Sequence, residues 1–136
     1  MSTATETTRS GYGYGRRFSG EFAETVARAK KALQDEGFGV LSEIDMKAKF
    51  DEKLGVQFHE YLILGACNPG LALQAISEEP ELGLLLPCNV IVYRDGDENV
   101  VSAINASAML GVTENPNLDA TAAEVNQKLQ RAIDSI

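Results

Sequence analysis

The chain contains no tryptophan, one histidine and two cysteines. None of its apolar runs approaches the roughly 20 residues that a membrane span needs. Two cysteines are too few for a disulfide framework. With one histidine and no C-x-x-C pair, a closed zinc site would need a further protein ligand or a second chain, so neither a metal nor another cofactor is expected. Positive charge is also scarce: 12 basic residues stand against 20 acidic ones, a formal net charge of −8. The basic residues come as short pairs, Arg16–Arg17 and Lys30–Lys31, or alternate with acids, as Lys47, Lys49 and Lys53 do with Asp51 and Glu52. No basic stripe is available to a phosphate backbone, which excludes nucleic acid as the expected partner. The polar start, MSTATETTRSGYGYGRR, lacks the apolar core of a secretory signal. These features together predict a cytoplasmic protein in a reducing compartment with no membrane partner. G-x-G-x-x-G, the Walker loop, H-E-x-x-H and G-x-S-x-G are all missing.

What is present suits one globular domain. Hydrophobic residues make up 44% of 136 and charged residues 24%, enough for a core without covalent staples. The Ser/Thr-rich residues 1–10 read as a disordered arm and 11–136 as a single domain. Gly11–Ser19 alternates Tyr and Arg with Gly, which predicts an edge strand. Ser19 is a suitable N-cap for a helix with Phe22, Val26, Ala29 and Leu33 on one face, closed by Gly37. Phe38–Ile44 reads as a strand with Phe38, Val40 and Ile44 inward. Asp45 and Gly55 bracket a short helix, and Val56–Ala66 is the next strand, apolar on both faces from Tyr61 to Leu64.

At Asn68–Pro69 the period changes from strand to helix, with Asn as N-cap and Pro at the first helical position. Pro80 ends that helix. Leu82–Arg94 is the most apolar run, predicted as a strand with a bend or bulge at Pro87. Asp95–Glu98 signals a hairpin returning through Asn99–Ile104. Asn105–Leu110 gives one helical turn. Leu118, Ala122, Val125, Leu129, Ala132 and Ile136 form the clearest amphipathic helix. The expected fold is α+β, one mixed or antiparallel sheet with helices on one face.

The segments SEIDMKAKF (Ser42–Phe50), LGACNP (Leu64–Pro69), GLLLPCNV (Gly83–Val90) and AMLGV (Ala108–Val112) resemble the domain-of-unknown-function family 302 over about residues 18–135. The resemblance implies a fold of the TATA-binding-protein-like α+β class and a homodimer. It brings no activity with it.

Both cysteines precede an asparagine, but their settings differ. Cys67 ends a strand directly before a helix start, where unpaired N–H groups and the helix dipole favour a thiolate. Cys88 shares strand parity with Leu84, Leu86, Val90 and Val92 and is expected in the core. Asn89 has the opposite parity. His59 has the parity of Cys67, but eight residues of strand separate them by on the order of 26 Å; the two could meet only across a dimer. Lys47, on the short helix, could bring a positive charge to the site. The leading expectation is a binding or regulatory module. Its small or anionic ligand would lie at the helix start after Cys67, held by Gly65, Cys67, Asn68, Asn89 and Lys47. A thiol-active protein with Cys67 as nucleophile or sulfur carrier and Cys88 as resolving thiol is the alternative. A purely structural interaction protein is the third reading.

Overall fold

The Asp95–Glu98 turn sets the centre of the sheet. Gly96, at φ 63°, lets strand β5 (Cys88–Asp95) return as β6 (Glu98–Ile104) through a two-residue loop. The computed structural model describes residues 4–136, with side chains from Ser10 onward. Around the central hairpin lie β4 (Tyr61–Cys67) and β3 (Gly39–Asp45) on one side, and β2 (Gly13–Phe18) and β1 (Ala4–Arg9) on the other. The order is β1-β2-β6-β5-β4-β3, and every neighbouring pair is antiparallel.

The N-terminal expectation needs correction. Residues 1–3 lie outside the described residues, but Ala4–Arg9 form a strand rather than a disordered arm. Three of these six residues are threonines, whose branched side chains favour extended backbone. The turn is closed by the Ser10 N–H donating to the Gly13 carbonyl. The glycine-rich β2 is therefore an interior strand, not an edge.

Helices α1 (Phe22–Asp35) and α5 (Asp119–Asp134) cover one face. Their Val26, Ala29, Leu33, Val125, Leu129 and Ala132 pack on Leu62, Leu64, Val90, Val92 and Val101. Helix α1 begins after Glu21 rather than at Ser19, and no side chain caps it. Its other end follows the sequence closely. Gly37 is left-handed at φ 86°, and the Gly37 and Phe38 N–H groups donate to the Gln34 and Leu33 carbonyls. Helix α2 (Met46–Leu54) lies between Asp45, which caps Ala48, and left-handed Gly55. It sits beside β4 and buries no residue.

Two strand expectations shift. The register breaks between Val40 and Ser42, so Ile44 turns outward and is exposed. The Leu82–Arg94 run divides into a short 3-10 turn, Pro80–Leu84, and β5. Leu84 therefore faces solvent instead of the core. The chain then continues through α4 (Ala106–Gly111) and a second 3-10 turn, Pro116–Leu118, into α5. No helix among the described residues is long and apolar enough to cross a membrane.

Candidate functional site

Strand β4 ends at Cys67, and Asn68 and Pro69 convert it into α3 (Pro69–Glu78). The Leu71 N–H donates to Asn68 Oδ1 at 3.3 Å, the predicted cap. Helix α3 is apolar but buries only Ala75, with Leu73 and Ile76 exposed. The Pro80–Leu84 turn folds back beneath it and buries Leu82. This flap packs on α4 and α5 through a second small core of Ala75, Leu82, Leu110, Leu118 and Ala122.

Between the flap and the end of the sheet lies a cavity of about 380 Å³, within the size range of small-molecule sites. Ala66, Cys67 and Cys88 line it from the sheet, and Leu71, Ala72, Ala75 and Ile76 from α3. Met109 and Leu110 of α4 close the far wall with Thr121 and Val125 of α5. The space exists because Ala66, Ala72 and Ala75 present only methyl groups where larger residues would fill it. No Asp, Glu, His, Lys or Arg is among the lining residues.

Both cysteines line this cavity, and both are free thiols. Ala66 lies directly opposite Cys88, so Cys67 is one step off register on the neighbouring strand. Strand geometry puts their Cα atoms about 6 Å apart, but alternation sends the two side chains off opposite faces of the sheet, which disfavours a direct bridge. Cys88 is buried, as its parity predicts, and burial pushes its thiol up to about 11, with a smaller contribution from Cys67. Cys67 is half-buried.

Asn68 joins them in the cavity wall, and the remaining expected site residues do not. Gly65 is held by packing: a Cβ there would collide with Ser42 and Pro87. Asn89, paired with Gly65, is exposed on the opposite face of the sheet, where it borders a groove with Tyr61, Tyr93 and Ser102. Lys47 lies at the other end of β4 and pairs with Glu60 at 3.2 Å. His59 is also at that end, its ring 4.0 Å from Phe58 and 6.3 Å from Tyr93. Among the described residues, no group of three or more His, Cys, Asp and Glu could hold a metal ion.

Sequence reasoning missed Thr121, a buried residue of the cavity wall. Its one visible signal is a hydroxyl next to Ala122 on the buried stripe of α5.

Fold and site define a small single-sheet α+β domain whose helices border an open apolar cavity at one end of the sheet. The chain belongs to the family described as Domain of unknown function DUF302, which matches residues 14–136. It is similar to the crystal structure of an uncharacterized conserved protein DUF302 from Bacillus stearothermophilus. The two share 29% sequence identity and a TM-score of 0.86, and the match covers 93% of this chain and 98% of that one. No curated protein matches the chain.

Proposed function

We propose that the protein is a binding module for a small, neutral, largely apolar molecule, held in the cavity at the β4–α3 junction. The carrying observation is the cavity itself, about 380 Å³ of space with an uncharged wall. Such a wall favours a neutral ligand over an anion: the helix start is already capped by Asn68, and no cation lines the chamber. Equilibrium dialysis with naphthalene tests this reading. Saturable one-to-one uptake is expected, and uptake that never saturates would end it.

The working unit in this reading is a homodimer joined through the bare face of the sheet. Tyr61, Ile63, Ile91 and Tyr93 lie on the face opposite the α1–α5 layer, with no charged residue at its centre. Six strands of about six residues offer roughly 600 Å². Two such faces bury about 1,200 Å², the lower end for a stable interface. The free thiols suit a reducing, cytoplasmic setting.

The shared position of Cys67 and Cys88 also favours a thiol-active reading, with Cys67 as nucleophile. The buried Cys88 is a weak resolving partner, since its thiolate forms only near pH 11. Alkylation of each cysteine against pH, mapped by mass spectrometry, tests this. A Cys67 as inert as Cys88 would remove it.

A further inference from the structure

We infer that Thr121 is the polar anchor of the cavity, and that the ligand carries a neutral hydrogen-bond acceptor, such as a ketone or ester carbonyl, on an otherwise apolar body. This rests on the cavity being the ligand site.

Three polar residues are buried among the described ones: Thr25, Asn99 and Thr121. Two of them satisfy each other. The Thr25 hydroxyl donates to the Glu21 carbonyl at 3.3 Å and accepts from Asn99 Nδ2 at 2.9 Å. Thr121, only 8% exposed, makes no side-chain hydrogen bond to any described residue. Its Oγ1 is not among the fully enclosed side-chain atoms, so the hydroxyl stays open to the space it borders. Valine has nearly the same shape, so Thr121→Val removes this donor with little change in packing.

The rest of the wall leaves Thr121 as the strongest donor. Asn68 Oδ1 is engaged in the α3 cap and its donor, Nδ2, lies against Gly37, while Ser42 is exposed at the rim. The Cys88 thiol is a weak donor. A carboxylate or phosphate would meet no cation in the wall and a chain of net charge −8 around it. A carbonyl needs one donor and no countercharge. Thr121 also borders a shallow outer groove with Gln74 and Asn117, so the direction of its hydroxyl decides the matter.

A matched pair of probes tests this: 2-acetylnaphthalene and its near-isostere 2-isopropylnaphthalene. Dissociation constants are measured by ligand-observed NMR for the unaltered protein, Thr121→Val and Thr121→Ser. Thr121→Val is expected to weaken the ketone about fivefold, the worth of one hydrogen bond, and to leave the hydrocarbon unchanged or tighter. Thr121→Ser should keep ketone affinity within about twofold, since it retains the hydroxyl. Equal changes for both probes, or a ketone indifferent to valine, would place the hydroxyl in the outer groove and overturn the assignment while leaving the cavity reading intact. If neither probe binds the unaltered protein, both readings fall together.

Discussion

Asn68 rests on the left-handed turn at Gly37: a Cβ on Gly37 would come within 3.0 Å of Asn68 Nδ2. The same Asn68 caps α3 through Leu71. The end of α1 is thus built to leave room for the residue that starts the cavity wall. Gly37→Ala is expected to lower stability by about 1–2 kcal/mol through its left-handed backbone, and Asn68→Ala by about 1 kcal/mol through the lost cap. Urea titration of both variants checks the values. Hydrogen exchange should then show α3 opening faster in each.

Cys88 should make stability depend on alkaline pH. Its folded thiol is raised to about 11 from a reference near 9.0. Below pH 9 both states hold the proton and the contribution is constant. Between about pH 9 and 11 the unfolded chain loses it first, so stability falls as pH rises. Two pH units correspond to about 2–3 kcal/mol. Denaturation at pH 8, 9, 10 and 11, compared with Cys88→Ala under reducing conditions, separates the Cys88 contribution from that of the tyrosines. Parallel curves for the two proteins would refute it.

Asn99 joins the central hairpin to the start of α1. Its amide donates to Thr25 and to the Gly20 carbonyl at 3.1 Å, and accepts from Arg94 at 2.9 Å. Asn99→Ala removes the donor to Thr25 and Gly20 and an acceptor for Arg94 in a buried site, and should lower stability by about 2–3 kcal/mol. Chemical denaturation measures the loss.

Filling the cavity should separate binding from folding. Ala72→Leu places three further carbons into the chamber beside Cys67 and Ala75. Naphthalene affinity is expected to drop at least tenfold while the melting temperature holds or rises. A variant that binds as before would mean that the ligand sits elsewhere.

The bare sheet face gives the last prediction. Ile91 lies on it between Ile63 and Ser102 of the neighbouring strands. Ile91→Lys should convert a dimer to a monomer in sedimentation velocity, with an unchanged circular dichroism spectrum. An unaltered protein that sediments as a monomer at micromolar concentration would refute the face as an interface.

Local chemistry made part of the site readable in advance. The cap at Asn68–Pro69, the turn at Gly37 and the parity of Cys88 each depend on a few neighbouring residues, and each holds. What failed depended on longer relationships. Asn89 is adjacent to Cys88 in sequence, yet strand alternation sends it to the other face. Lys47 and Cys67 belong to segments joined in sequence but sit at opposite ends of β4. The break after Val40 inverts the inside and outside of β3, and nothing in FGVLSEI marks it. Thr121 gains its meaning only when α3 and the Pro80–Leu84 turn close over it, a packing fact that no periodicity records.

Strand β3 forms one margin of the sheet, and its broken register has a consequence for assembly. Neighbouring Glu43 and Asp45 line that margin, with Glu43 held by Lys30 at 2.6 Å. An incoming strand would meet an interrupted ladder flanked by two charged side chains, which disfavours extending the sheet in register. Fibre growth by annealing chain to chain is discouraged on that side.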